Sequence, residues 1–378
     1  MDNILIPEWK RAVIKVGSSI VAPFGNGCST NYLLSIAGFI IESMKSGKEI
    51  ILVSSGAVAA GYSGRKFKSG IVNFSIPEKQ ALAAIGQPLL MEIWSRLFDF
   101  PCAQILITYD AINNRNRFIN TRNTINELLK LKTLPIVNEN DTVAVDELKV
   151  GDNDNLAAHV AVISEADLLI ICSDIDGLFD DNPAKNKESK IIREVAAIDE
   201  KIFSISGASS NPLARGGMYT KVQAAEKATS RGIATIIVNG KKKETFDELL
   251  KNRLPGTIFR PEHNPIAAKK HWMKHALKSS GNIIIDEGAG KAIRKNGASL
   301  LPSGIVEIKG VFANGEAVEI SIIGKEKSII AKGIVQYSSV DLHKIKGLKS
   351  KEIEKVLGYI QAEEIIHRND LILMDQEF

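Results

Sequence analysis

From residue 12 to residue 238 the chain repeats one pattern, a short apolar run rich in β-branched residues followed by a longer stretch with helical spacing. The runs at 12–16, 50–53, 103–107, 134–137, 168–172 and 233–238 are nearly continuous in hydrophobicity, as expected of strands buried on both faces. Between them, 32–44, 77–98, 117–131, 155–163 and 219–231 place apolar residues at helical intervals. Strand and helix in alternation predict an α/β domain with a mainly parallel central sheet, sandwiched between helices. In that architecture ligands collect beyond the carboxyl ends of the strands.

From Lys241 the pattern changes. Basic runs at 241–243 and 269–270, together with Pro255, Pro261 and Pro265, interrupt it without any sustained strand period. The stretch reads as the end of one domain and a linker. Beyond Gly281 come short strands separated by glycine turns (NIIID, GIVEIKGVF, NGEAVEISIIG, SIIAKGIVQY) and a helical piece near 350–357, which predict a small β-rich domain. The expected division is a first domain over 1–258, a linker over 259–280 and a second domain over 281–378.

Composition narrows the class. The 378 residues are 44% hydrophobic and 24% charged, enough apolar material for two or three globular cores. A net charge of +4 suits a protein that handles anions without demanding nucleic acid. Between Gly281 and Gly358, 12 Lys and Arg face 9 Asp and Glu, a weaker balance than a dedicated RNA binder carries. Cys28, Cys102 and Cys172 form no CxxC pair and read as reduced thiols. No signal peptide and no membrane-length apolar run is evident, so a cytoplasmic location with no membrane partner is expected. P-loop, Rossmann and G-x-S-x-G fingerprints are absent, and the HWMKH of residues 271–275 lacks the glutamate of a zinc-protease helix.

Four clusters fall where a parallel sheet presents its ligands. Lys15-Val16-Gly17-Ser18-Ser19 ends the first run, and a lysine inside AVIKV is costly to bury unless its ammonium reaches an anion or water. Ser54-Ser55-Gly56-Ala57 ends the second, with small donors at a strand-to-helix turn. Asn138-Glu139-Asn140-Asp141 and Gly151-Asp152-Asn153-Asp154-Asn155 are dense in carboxylates and amides, a repulsive arrangement that a cationic ammonium or Mg²⁺ would relieve. Ser173-Asp174-Ile175-Asp176-Gly177 and Arg215-Gly216-Gly217-Met218-Tyr219-Thr220-Lys221 supply a loop and a helix start suited to nucleotide phosphate. Read singly, each has a plainer explanation: a snorkelling lysine, a serine N-cap, Asx turns, a flexible cap. Together they have none as simple.

Together they resemble the amino-acid kinase family. The matching strings are VIKVGSS, ILVSSGAVAAG, AAIGQ (83–87), PIVNENDTV, VGDNDNLAA, SDIDGL (173–178) and GGMYTK, with IDEGA (285–289), SLLPSGI (299–305) and LGYI (357–360) further on. The last part is similar to the PUA domain, named after pseudouridine synthase and archaeosine transglycosylase. NEND with VGDNDN points to the branch of the family that phosphorylates the side-chain carboxylate of L-glutamate with ATP to give L-glutamyl 5-phosphate, opening proline biosynthesis. The resemblance implies that Ser55, Asp141 and Asn153 hold glutamate. It implies that Lys15, Ser173, Asp174 and the stretch Arg215, Gly216, Gly217, Met218, Tyr219, Thr220, Lys221 serve ATP. Lys15, Lys221 and Asp152 would be catalytic, with Asp152 and Asp154 ordering the lysines or Mg²⁺, and Asp154 the candidate Mg²⁺ ligand. Arg215 stands where many relatives carry a small residue, and its guanidinium would contact phosphate or ribose. A homo-oligomer and a transient hand-off to glutamyl phosphate reductase are further implications. The competing readings are another enzyme of the family (acetylglutamate kinase or aspartokinase) and an RNA-binding or regulatory protein acting through its C-terminal domain.

Overall fold

The computed structural model describes residues 4–24, 27–62, 74–108, 115–144, 153–207, 217–261, 279–324 and 328–374. The chain divides into two compact units, Met1–Pro265 and Ile266–Phe378.

The first unit is built on one sheet of eight strands: β1 (Arg11–Val16), β2 (Glu49–Ser54), β3 (Cys102–Ile107), β4 (Leu134–Glu139), β5 (Leu168–Ser173), β6 (Glu194–Val195), β7 (Ala234–Asn239) and β8 (Thr257–Phe259). They lie in the order β3-β4-β2-β1-β5-β7-β8-β6, every neighbouring pair parallel except β7 with β8. The chain moves outward from β1 to β2 and then to β3 at the edge, inserts β4 between β2 and β3, then crosses to β5 and builds the other way through β7. The order therefore reverses between β1 and β5, and such a reversal opens a crevice at the carboxyl ends of the two strands.

Strand alternation sends Ala12, Ile14 and Val16 of β1 to one face and Val13 and Lys15 to the other. The first face packs under helices Leu33–Lys45, Ile76–Ser95 and Lys243–Leu250, through Ile36, Ile40, Leu90, Trp94 and Phe246. The second packs under Asn153–Ile163 and Met218–Thr229, through Ala157, Ala161, Val222, Ala225 and Ala228. Each such side chain fully removed from water contributes about 1.5–3 kcal/mol when large, and less for alanine. The alanines let these two helices lie close to the sheet and to each other.

The second unit is a five-stranded sheet of β9 (Ser279–Ile285), β10 (Ile305–Gly310), β11 (Ala317–Ile322), β12 (Ile329–Ile334) and β13 (Leu371–Leu373), in the order β10-β9-β11-β12-β13. Of these neighbouring pairs only β9 with β11 is parallel. The core of this unit includes Ile283, Ile285, Val318, Ile320 and Tyr337.

Three features differ from the sequence expectation. Helix Lys243–Leu250 and strand β8 form in a stretch where basic and proline residues suggested no sustained secondary structure. That helix buries only Thr245, Phe246 and Leu249 over eight residues, too short a stripe to stand out against its charges. Helix Glu287–Asn296 was unexpected because glycines dilute it; Asp286 caps it, accepting from Ala289 N–H at 2.7 Å, and Gly297 ends it at φ 56°. Helix Ser339–Ile345, capped by Ser338, was also unexpected and falls between the last expected strand and the expected helical piece near 350–357. The HWMKH stretch lies outside the described residues.

Candidate active site

Lys15 is the second-to-last residue of β1 and points to the face covered by helices Asn153–Ile163 and Met218–Thr229. Asp154 stands three, four and seven residues before the buried Ala157, Ala158 and Ala161; Lys221 stands likewise before Ala224, Ala225 and Ala228. Both charged residues thus open the buried stripe of their helices, one turn above the alanines, at the level of the strand ends. Three residues far apart in sequence therefore meet. Lys15 Nζ lies 2.5 Å from Asp154 Oδ1, and Lys221 Nζ lies 3.0 Å from Asp154 Oδ2. The Thr220 hydroxyl is also within 3.0 Å of Oδ2.

Asp154 is fully buried and both lysines nearly so. Burial alone would raise its carboxyl, but the Lys15 and Lys221 ammonium groups outweigh that and hold it at about 2. Two ammonium groups on one carboxylate leave a net positive charge. The trio lines a pocket together with Gly17, Ser55, Asn153, Ser173 and Asp174. A desolvated, net-positive centre at the carboxyl edge of β1 and β5 is built to face anions.

The serine pair after β2 divides its work. Ser54 is buried and its Oγ accepts from Trp94 Nε1–H at 2.8 Å, while Ser55 faces the pocket. Gly56 turns the chain at φ 110°, where a Cβ would also meet Val21 at 2.8 Å.

Behind the pocket-lining Asn153 come neutral amides and then carboxyls. Asn153 Nδ2 donates to Asn138 Oδ1 at 2.9 Å, and Asn138 Nδ2 donates to Gln87 Oε1 at 2.8 Å. The backbone N–H of Glu139 also donates to Asn138 Oδ1, at 2.9 Å. Gln87 Nε2 is buried, with no partner among the described residues. Glu139 and Asp141 follow at the end of β4. Burial, with the Asp141 charge added, pushes the Glu139 carboxyl up to about 8; burial pushes Asp141 up to about 6. Neither carboxyl has a cationic side chain among the causes of its shift. Asp141 is not part of the pocket lining and connects to it through Glu139 and Asn138.

At the end of β5, Ser173 and Asp174 continue the strand into the pocket, and Asp174 lies 3.8 Å from Lys241 Nζ. Gly217 is the N-cap of helix Met218–Thr229, whose first turn carries Met218, Tyr219 and Thr220. Tyr219 packs its ring on Phe203, 5.7 Å between centroids, and Met218 packs against the second-face core. Asp152, Arg215 and Gly216 lie outside the described residues.

Asp154 was a candidate Mg²⁺ ligand. Each of its oxygens faces an ammonium in this structure. Among the described residues no group of three or more His, Cys, Asp or Glu could hold a metal ion. The sequence pattern assigned no role to Gln87 or Asn138; the only signal was their place in the AAIGQ and NEND strings.

The family model for the amino acid kinase family matches residues 10–239, and that for the PUA domain matches residues 281–357. The chain belongs to the amino acid kinase family. Within it, the chain is 54% identical to the glutamate 5-kinase of Salinibacter ruber, over 99% of this chain and all of that one. It is 50% identical to the glutamate 5-kinase of Idiomarina loihiensis, over 98% of this chain and 99% of that one. The glutamate 5-kinase of Xylella fastidiosa strain M23 is 44% identical, over 98% and 96% of the two chains. This member of the amino acid kinase family therefore matches those relatives through both of its units. Among the described residues no helix is long and apolar enough to cross a membrane.

Proposed function

We propose that the protein transfers the γ-phosphoryl group of ATP to the side-chain carboxylate of L-glutamate, forming L-glutamyl 5-phosphate and ADP, the first step of proline biosynthesis. The observation that carries the mechanism is the Lys15–Asp154–Lys221 trio, a buried cationic centre in the same pocket as Ser55 and Asn153.

The reaction brings two anions together. A glutamate side chain in water titrates near pH 4.3, so only about one in 500 is protonated at neutral pH and no general base is needed. The carboxylate oxygen forms a bond to the γ-phosphorus as the bond to the bridging oxygen breaks, and ADP carries that electron pair away. Catalysis reduces to alignment and charge neutralisation. Lys15 neutralises the transferring phosphoryl group and Lys221 the leaving phosphate, while Asp154 holds both ammonium groups in place. Gly217 and the first turn of helix Met218–Thr229 offer backbone donors to the phosphates, with Ser173 and Asp174 on the other side of the nucleotide. Ser55, Asn153 and Asp141 take glutamate, Asp141 through its ammonium.

Mg²⁺ enters as the counter-ion of the ATP phosphates. Mg²⁺ in general keeps waters and phosphate oxygens as ligands. We assign residues 1–258 to the kinase domain, 259–280 to a linker and 281–378 to the PUA-like domain. We place the enzyme in the cytoplasm, as a homo-oligomer that passes its labile acyl phosphate to glutamyl phosphate reductase.

The test is an incubation with Mg-ATP, L-glutamate and hydroxylamine, scored for the γ-hydroxamate that traps an acyl phosphate. N-acetylglutamate, aspartate and UMP are run alongside. Hydroxamate or ADP formed with one of those and not with glutamate would overturn the substrate assignment.

A further inference from the structure

Asn153, Asn138 and Gln87 form a chain of three side-chain amides running inward from the pocket wall. The oxygen and nitrogen ends of an amide are told apart by what they bond. One partner here has a fixed identity. The backbone N–H of Glu139 can only donate, and it lies 2.9 Å from one end of the Asn138 amide, which must therefore be the oxygen. The nitrogen of Asn138 then faces Gln87, which must meet it with an oxygen. On the other side Asn153 must use its nitrogen on Asn138, so its oxygen is the end left for the pocket. A backbone group fixes the polarity of the whole chain.

That polarity has a cost. Gln87 Nε2 is buried and unbonded among the described residues, a stranded donor that gave up its water without a partner. Turning the Gln87 amide over would set two NH₂ groups against each other. The depth of Gln87 is set in turn by the glycine before it. A Cβ on Gly86 would lie 1.8 Å from the Ala57 carbonyl oxygen, and one on Gly61 2.0 Å from that of Leu82. These two glycines press helix Ile76–Ser95 against helix Ala57–Tyr62, which begins two residues after Ser55.

We infer that Gln87 is a positioning residue: through Asn138 it holds Asn153 with its side-chain oxygen toward the pocket, as the acceptor for the α-ammonium of the amino-acid substrate. Of the groups on glutamate only the ammonium can donate, so an oxygen presented to the pocket selects the amine over either carboxylate. The inference rests on the reading of glutamate as substrate given above. Without the oxygen at position 87, the buried Asn138 NH₂ loses its partner, Asn138 turns to find another, and Asn153 is released.

The experiment measures steady-state kinetics of the full chain for the wild type, Gln87→Met and Gln87→Glu, with L-glutamate and with glutarate, the same dicarboxylate lacking the amine. Gln87→Met should raise KM for glutamate about tenfold or more, the equivalent of one hydrogen bond to a charged group. KM for ATP and kcat should stay within about threefold, because the interaction serves ground-state binding. Gln87→Glu, which keeps an oxygen facing Asn138, should recover most of that loss. Turnover of glutarate should be equally poor in wild type and Gln87→Met. Should Gln87→Met fail to fold, Asn138→Ala cuts the same chain one link nearer the pocket and should give the same pattern. A glutamate KM unchanged by the substitution, or a loss shared equally by glutarate, or a loss confined to kcat, would overturn the inference while leaving the substrate assignment intact. A wild-type protein that forms no γ-hydroxamate from glutamate would instead overturn that assignment and this inference with it.

Discussion

At the Lys15–Lys221 end of the pocket, charge is paired before any ligand arrives; on the Glu139–Asp141 side, among the described residues, it is not. The first centre sets two ammonium groups on one buried carboxylate, which is held near 2 by them. The second sets two carboxyls close in sequence, both pushed upward by burial, with neutral amides between them and the pocket. The difference teaches what each half awaits. On the reading proposed above, a centre whose charges are already paired and slightly positive meets ATP without rearranging, which is the condition for electrostatic catalysis. On the same reading, the acidic side is completed by the substrate's own ammonium, and binding energy from the amino acid settles an arrangement the protein alone leaves unfavourable.

The largest effect expected is from Asp154→Asn. It strands two buried ammonium groups beside each other, and removing one member of a buried ion pair costs about 3–5 kcal/mol of stability. Activity should fall more than about a hundredfold as both lysines move off their alignment. Lys15→Ala should lose about a hundredfold in rate yet keep its fold, since Asp154 still pairs one-to-one with Lys221. Urea unfolding of the two ligand-free variants is the check. Equal losses of stability would break the picture of one carboxylate organising two lysines.

The strands were legible in the sequence because burial on both faces leaves no polar interruption, and Lys15 was legible for the converse reason, as a charge inside such a run. The pairing was legible only through the family resemblance, which offered Asp154 as ordering the lysines or as a Mg²⁺ ligand; nothing in the residue order itself says that helices Asn153–Ile163 and Met218–Thr229 lie on the same face of β1. Gln87 was harder still. A glutamine in the middle of a 20-residue helix has no pattern of its own, and its role follows from a close helix crossing set by Gly61 and Gly86. The Lys243–Leu250 helix was missed because its buried stripe is three residues long.

A smaller effect separates the two halves by pH. Glu139 and Asp141 have folded values above their unfolded ones, so the stability they contribute is present in acid. It is lost as pH rises through about 6 for Asp141 and about 8 for Glu139. Asp154 has the opposite sign: its contribution is present above the ordinary aspartate range and is lost only as pH falls through about 2. Between about pH 5 and pH 8 the slope of ligand-free stability should therefore come from the acidic side. It should amount to between about one and two protons' worth at about pH 5–6, where both carboxyls contribute, and about one or less above about pH 7, where Glu139 alone remains. Glu139→Gln should flatten its upper part. Glutamate binding should release protons over the same window, read by calorimetry in buffers of differing ionisation enthalpy. Proton uptake on binding would sink this account.

The smallest effect expected lies on the nucleotide side, at Lys241. Its ammonium is 3.8 Å from Asp174, with the lysine side chain 32% and the aspartate side chain 52% exposed. A pair of that kind, open to solvent and loosely set, is worth about 0–1 kcal/mol and is screened by salt. Lys241→Ala should therefore change KM for ATP by less than about fivefold, and the change should vanish in high salt. The buried Lys221–Asp154 contact should by contrast be nearly indifferent to ionic strength, because solvent ions do not reach it. Measuring KM for ATP of wild type and Lys241→Ala at low and at high salt separates the two. A large, salt-resistant loss would mean that the working charge at the phosphate end extends to the exposed rim, and that the contrast between a dry, preset centre and its solvent-facing surroundings is drawn in the wrong place.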